Sequence, residues 1–279
     1  MSLAAKLPYD HPYAGGYPGI GSQPLPTDAD AIDYLSRMAT ADGAGVEVGV
    51  ATAVDAFFRG LKATPGLFDA IKASCVLCGA RTITGALVPL AGDAPTAYGG
   101  WASGDFGRAT GLTGDPTASL YLDSNRANDA DPQDDAHLSV YLTSPVTSGS
   151  VYGLIGTGQS TPLASHTVGV NSIDSTFFRS NAPTSLDIVS TGQSTGLYGV
   201  TRNSASLFSV RVQGSSSSLA ETSVTPASLN SYVFARNING TAGNLADATI
   251  AFYSIGTSID LAKLDSHITA YVTAIGAAL

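Results

Sequence analysis

From Arg81 to Ser254 one pattern keeps returning: a short apolar run of period two, then a break of Gly, Pro, Asn or Ser. The runs are "TITGALVPL", "SLYL", "HLSVYL", "SVYGLI", "HTVGV", "TFFRS", "SLDIV", "GLYGVT", "SLFSVRV", "SYVFAR" and "TIAFYS". β-Branched and aromatic residues dominate them, which suits a pleated, half-buried surface. Alternation over so few residues is strand geometry, because successive side chains of a strand point to opposite faces. About eleven strands with no helix between them predict a mainly β fold, a two-sheet antiparallel sandwich. Asn239-Gly240, before the last run, is a tight-turn signal.

The flanks read differently. Residues 1–26 are rich in Pro, Gly and Tyr, which forbids a regular helix or central strand there. We expect an extended anchoring arm whose Tyr9, Tyr13 and Tyr17 contact another subunit or a neighbouring protein. Residues 27–79 predict helices. Thr27 is the expected N-cap of the first, with acids in its first turn. "AVDAFFRGLKA" puts Val54, Phe57, Phe58 and Leu61 on one face. Pro65 and Gly66 stop that helix. "LFDAIKASCVLCG" reads as another, with Leu67, Ile71, Ser74 and Cys75 on one side and Gly79 as its stop.

Residues 80–256 hold the sandwich and 257–279 a closing helix capped by Ser258. Leu261, Leu264, Ile268, Tyr271 and Ile275 follow at 3-4-3-4 spacing, a narrow seam. Two readings stay open. The seam packs on its own domain, or Leu261, Leu264 and Ile268 meet other subunits across a symmetry axis, in a trimer.

Composition narrows the function classes. Only 13% of the 279 residues are charged, about half the usual share. A net charge of −9 argues against nucleic acid or anionic lipid as a partner. No apolar stretch is long enough to span a membrane, a length of about 18 residues or more. Lys6 leads into Leu-Pro-Tyr, not into an apolar run, so no secretory leader is expected. The two cysteines, Cys75 and Cys78, make no disulfide framework and fit folding in a reducing cytosol. With no second pair for a structural zinc, they read as buried thiols.

Chemistry-bearing motifs are few. Gly192-Gln193-Ser194-Thr195-Gly196 spells G-x-S-x-G, the pattern of a hydrolase nucleophile elbow. An elbow needs a helix behind its Ser, and "LYGVTRNSASLFSV" reads as strand. Thr-Gly-Gln-Ser-Thr also occurs at Thr157–Thr161, so both copies read as hairpin turns, with Gly158 and Gly192 able to take positive φ. Sandwich glucanases need alternating acids on one strand, and no E-x-D-x-E occurs. No catalytic residue is assigned. The acid-rich "LDSNRANDADPQDDAH" offers Asp123, Asn125, Asp129 and Asp131 as oxygen ligands for Ca²⁺, against the plainer reading of a solvated loop. No other cofactor is implied. Asn239-Gly240-Thr241 is a formal glycosylation sequon. Tyr98, Trp101 and Phe106, in or beside the Gly-rich "AYGGWASGDFGR", are candidates for stacking on sugar rings.

Three segments carry a family resemblance. "AVDAFFRGLKATPGLFDAIKASCVLCGARTITGALVPL" looks like the helical lead-in of a family of bacteriophage virion proteins. "RATGLTGDPTASLYLDSNRANDADPQDDAHLSVYLT" resembles the opening strands of their concanavalin/laminin-G-like jelly-roll sandwich. "YVFARNINGTAGNLADATIAFYSIGTSIDLAKLDSHITAYVTAIGAAL" is similar to their last strand and terminal helix. The resemblance implies a structural, tail-fiber or capsid-decoration protein of the virion, assembled in the host cytoplasm, and a lectin-like capacity for polysaccharide. It leaves two rivals: a capsid cement or tail adaptor without ligand, and a polysaccharide-degrading enzyme.

Overall fold

A computed structural model describes residues 26–147, 151–172, 175–183, 186–188 and 193–279. The arm with Tyr9, Tyr13 and Tyr17 lies outside the described residues, and so does Gly192. Helices α1 (Ala29–Asp42), α2 (Val48–Ala63) and the single turn α3 (Leu67–Ala70) lead into β1 (Ile71–Val76). A further turn, α4 (Ile83–Ala86), precedes β2 (Pro89–Ala91), β3 (Thr96–Tyr98), β4 (Phe106–Gly107) and β5 (Gly111–Thr113). The long strands follow: β6 (Tyr121–Ala127), β7 (Ala136–Ser144), β8 (Tyr152–Ser160), β9 (Leu163–Ser172) and β10 (Ser175–Ala182). Then come β11 (Leu186–Ile188), β12 (Gly196–Arg202), β13 (Leu207–Val212), β14 (Ser215–Ala220) and β15 (Asn230–Val233). β16 (Arg236–Ile238), β17 (Thr241–Gly243), β18 (Thr249–Gly256) and α5 (Leu261–Ala278) complete the chain.

The strands form the expected sandwich. One sheet runs β14-β13-β12-β7-β18-β1-β2, with β5 on β18 and β4 on β5. The other runs β11-β10-β9-β8-β15-β6-β3, with the β16–β17 hairpin added against β8. Pairing is antiparallel except where β16 lies parallel to β8. Alternation decides the faces. In β7, Leu138, Val140 and Leu142 enter the core between the sheets, while Tyr141 points to the other side.

That other side is covered by helices, so the protein has three layers. Val54, Phe57, Phe58 and Leu61 of α2 pack with Leu264, Ile268, Tyr271 and Ile275 of α5 onto Leu197, Ala251 and Phe252 of the first sheet. Phe57 meets Phe252 edge to face at 6.2 Å and Tyr271 at 5.0 Å. Leu261, Leu264 and Ile268 are thus buried within their own chain, 0–5% exposed. They are no subunit contact: the seam packs on its own domain.

Several local expectations are corrected. Residues 71–76 form a central strand between β18 and β2, not a helix. Six residues of which only Lys72 is exposed carry no usable period, so apolar content alone could not separate buried strand from buried helix. Gly79 stops no helix. It adopts φ +94° directly beneath Tyr271 and Ile275. In "TITGALVPL" only the end is strand. Thr82 caps α4 by accepting from Gly85 N, and Asp42 accepts from Arg81 N and Thr82 N. Asp28 and Asp260, not Thr27 and Ser258, cap α1 and α5, each accepting two backbone N–H groups. Asn239 and Gly240 both take positive φ, 52° and 89°, and join β16 to β17 as a tight hairpin. Among the described residues no helix is long and apolar enough to cross a membrane.

Candidate functional site on the second sheet

The helices occupy the outer face of the first sheet, and among the described residues no helix covers the outer face of the second. Its residues follow from register. Leu122 and Val233 pair across β6 and β15 and are fully buried in the inter-sheet core. Tyr121, Asp123 and Tyr232 therefore point outward. Tyr98 lies directly opposite Tyr121, and Tyr232 opposite Asp123.

The three tyrosines form one row. The Tyr98 and Tyr121 rings stack in parallel, centroids 4.7 Å apart, and Tyr232 follows at 4.9 Å and 34°. Tyr98, on the edge strand β3, is 42% exposed. The Asp123 carboxylate sits in the row. It accepts from Asn125 N at 2.8 Å and Asn230 Nδ2 at 3.2 Å. Burial, with Tyr98 and Asp123 beside it, raises the Tyr121 phenol above its ordinary value, and burial with Asp123 does the same for Tyr232. Both phenols stay neutral and can donate as well as accept. The exposed Tyr98 ring, backed by the half-buried Tyr121, is an apolar platform of the kind a sugar ring stacks on, while Tyr232 and Asp123, each 8% exposed, hold the row from behind.

The same row continues across the sheet. Tyr232 pairs with Gly156 of β8, Gly156 with Thr167 of β9, and Thr167 with Arg179 of β10. Gly156 is required there. It has φ +145°, and a Cβ on it would meet the His166 carbonyl at 2.4 Å.

Of the sequence-predicted aromatic site only Tyr98 belongs to this surface. Trp101 is partly buried against the inter-sheet core, edge to face with Phe234 at 5.5 Å. Phe106 wedges between both cores. Apolar packing claimed these two rings. Tyr121 and Tyr232 were missed, although both sit at outward positions of runs read as strands. Only strand pairing shows that they are neighbours.

The calcium site does not assemble. The Arg126 fork holds both oxygens of Asp131, at 2.6 and 3.0 Å. Asp123 is committed to Asn125 and Asn230. Asn125 reaches away to Ala94 O and Thr96, and Asp129 stands exposed on the turn Asn128–Ala130. Among the described residues no three His, Cys, Asp or Glu side chains are grouped to hold a metal ion. A cation here would compete with the bidentate Arg126 pair for Asp131.

Ser194 is exposed and precedes a strand, β12, where an elbow needs a helix. Its Oγ donates to the Thr195 carbonyl, and its own carbonyl accepts from Tyr198 Oη at 2.9 Å. The earlier Thr-Gly-Gln-Ser-Thr copy is not a turn. Thr157–Ser160 belong to β8, and Gly158 is not at positive φ. Cys75 and Cys78 are fully buried, and burial pushes both thiols up to about 12, away from thiolate chemistry.

No family model and no curated protein matches the chain. Solved structures similar to it include a K499G mutant of NanB sialidase from Streptococcus pneumoniae, at 11% identity and TM-score 0.41, covering 52% of this chain and 26% of the sialidase. Another is the CBM40 of Ruminococcus gnavus IT-sialidase bound to α2,3 sialyllactose, at 10% identity and TM-score 0.38, covering 48% of this chain and 82% of that one. A third is the binding domain of botulinum neurotoxin serotype D, at 11% identity and TM-score 0.47, covering 76% and 52%. A carbohydrate-binding module is thus among the sandwiches it resembles; at this distance the likeness carries no argument about ligand or role.

Proposed function

We propose that the protein is a non-enzymatic, glycan-binding surface component of a phage particle. It is a fiber, spike or decoration protein, trimeric in the assembled virion and anchored to other virion proteins through its N-terminal arm. The observation that carries the glycan reading is the Tyr98–Tyr121–Tyr232 row with Asp123 and Asn230 set into it. The virion reading rests on the three resembling segments. The non-enzymatic reading is supported by Ser194, which stands before a strand and donates to the carbonyl of its neighbour.

The direct test is a glycan array probed with the full chain and with Tyr98→Ala. Tyr98 lies on an edge strand and is well exposed, so the variant should keep its melting temperature. It should lose about tenfold or more in affinity, the size of losing one stacking contact of about 1.5 kcal/mol. No binding to any glycan, with loss of particle stability on deletion of the protein, would favour a ligand-free cement instead. Release of reducing sugar ends would favour the polysaccharide-degrading enzyme.

The arm makes a separate prediction. A chain lacking residues 1–26 should fold with an unchanged far-ultraviolet spectrum and fail to incorporate into particles. Normal incorporation of the truncated chain would remove the anchoring role.

A further inference from the structure

We propose that the cleft at the start of α5 is a second ligand site and takes a short neutral sugar. It lies on the helical side of the first sheet and does not rest on the reading of the tyrosine row. Three observations carry the proposal.

The first is a concave frame that is tied down on every side. The turn from α2 into α3, residues 64–67, makes one wall. Asn203, just past the end of β12, makes the second, and the link from β18 into α5, residues 258–260, makes the third. They enclose about 380 Å³, near the small end of the range for ligand pockets, about 300–1,000 Å³. Ser258 N donates to Asp135 Oδ1 at 2.8 Å, and Ile259 N donates to Thr201 Oγ1 at 3.0 Å. Thr64 Oγ1 lies 3.0 Å from His267 Nε2, and Leu67 N donates to the Thr64 carbonyl at 3.1 Å. Gly66 closes that turn at φ +75°. Walls fixed in this way do not have to be ordered by the ligand.

The second is a set of polar groups with capacity to spare. Asn203 and Asp260 are exposed and Ser258 is half-buried, so all three are reachable from solvent. Among the described residues neither the Asn203 amide nor the Ser258 hydroxyl has a hydrogen-bond partner. Asp260 caps α5 through Oδ1 alone, accepting from Ala262 N and Lys263 N, which leaves Oδ2 free.

The third is the match between these groups and a sugar. Leu67, Ile259 and Pro65 give the cleft an apolar side for the C–H face of a ring. Its hydroxyls can donate to Asp260 Oδ2, accept from Asn203 Nδ2, and do either with Ser258. An anion fits badly. Asp260 is the charged group of the cleft, and Lys62, in the adjoining hollow, is already held by Asp28 and Asp30. An ammonium group fits only in part: it satisfies Asp260, but it cannot accept from Asn203.

The test is an NMR titration of the full, isotope-labelled chain. The probes are the methyl glycosides of glucose, galactose, mannose and N-acetylglucosamine, with galacturonate as the acid and propylamine as the amine. A neutral glycoside should shift the amides of residues 64–67, 203 and 258–261 saturably. Asn203→Ala and Ser258→Ala should each weaken that binding about tenfold, the loss of a hydrogen-bond partner worth about 1.4 kcal/mol. Asp260→Asn, which keeps the cap and removes the charge, should weaken it as well. Tyr98→Ala should leave these shifts unchanged, and Asn203→Ala should leave the glycan-array binding that depends on Tyr98 unchanged. The Asn203 side chain is exposed and unbonded, so its variant should keep the melting temperature; Ser258→Ala is the second variant should it not fold. No saturable shift at the cleft with any neutral glycoside overturns the proposal and leaves the tyrosine row standing. Tighter binding of galacturonate or propylamine than of every neutral glycoside overturns the ligand class and with it the proposal. Loss of the cleft shifts in Tyr98→Ala would mean one site on the second sheet, and would overturn the cleft as a site of its own.

Discussion

Leu264→Asp is expected to lower the stability of the monomer by several kcal/mol and to do so at every protein concentration. Leu264 is fully buried between α5, α2 and the helix-facing side of the first sheet. Truncating a buried Leu costs about 2–5 kcal/mol, and stranding a carboxylate in the gap adds to that. A domain has only about 5–15 kcal/mol of stability in total, so the variant should be largely unfolded at physiological temperature or melt far earlier. Denaturant melts and sedimentation of the variant check this. A sandwich that stays fully stable and merely sediments as a smaller assembly would mean that the α5 seam is a subunit contact, contrary to its burial in one chain.

A fall from pH 7 to pH 5 should cost nearly as much, and two histidines account for it. His137 is fully buried, and that burial holds it at about 4 despite its contact with the Thr257 carbonyl. Its Nε2 lies 3.0 Å from Ser254 Oγ. His166 is buried likewise and held at about 3, and Arg202 adds a repelling charge beside it. Its Nδ1 is 3.3 Å from Asn181 Oδ1, which already accepts from Asn128. Both rings stay neutral in the folded protein, while in the unfolded chain they take up protons below about pH 6.5. The unfolded state then binds more protons, so stability is full above pH 6.5 and falls as pH drops toward 4 and then 3. Below the folded values the loss levels off. At pH 5 each ring contributes a loss of roughly 2 kcal/mol. The carboxylates Asp28 and Asp55, whose folded values are lowered, act mainly below pH 4 and so fall outside this window. Urea unfolding at pH 7 and pH 5 measures the slope, and His166→Gln should flatten it. Equal stability at the two pH values would show that the imidazoles take up protons without unfolding.

The strands from β6 to β13 were legible because short runs of β-branched and aromatic residues recur between breaks of Gly, Pro, Asn and Ser. β7 alternates even though both its faces are buried: Leu138, Val140 and Leu142 enter the inter-sheet core, and Ser139 and Tyr141 lie on the helix-covered face. The α2 stripe and the α5 seam were legible for the matching reason at helical spacing. β1 was not. Its two faces carry Ala73 and Cys75 against Ser74 and Val76, with too little contrast in size and polarity for alternation to show, and "IKASCV" then looks like any apolar segment. The caps slipped by one or two residues because Thr27 and Asp28, or Ser258 and Asp260, are equally good oxygen acceptors for the free N–H groups of a helix start. Which one serves depends on where the chain enters, and Asp55 fixes that by accepting from both Thr27 N and Asp28 N.

The candidate site is the part that only tertiary structure decided. The sequence alone determined a β-rich sandwich with helical flanks, a chain poor in charge, and tyrosines on strands. It could not say that Tyr98, Tyr121 and Tyr232 touch, because β3, β6 and β15 are joined by pairing between segments far apart in the chain. Nor could it say which aromatic rings remain outside: Trp101 and Phe106 lie near Tyr98 in sequence, yet the cores absorbed them. Local residues set the period of a strand. Its neighbours, and therefore what stands beside each outward side chain, are set by how two sheets and a helical layer bury the most apolar surface together.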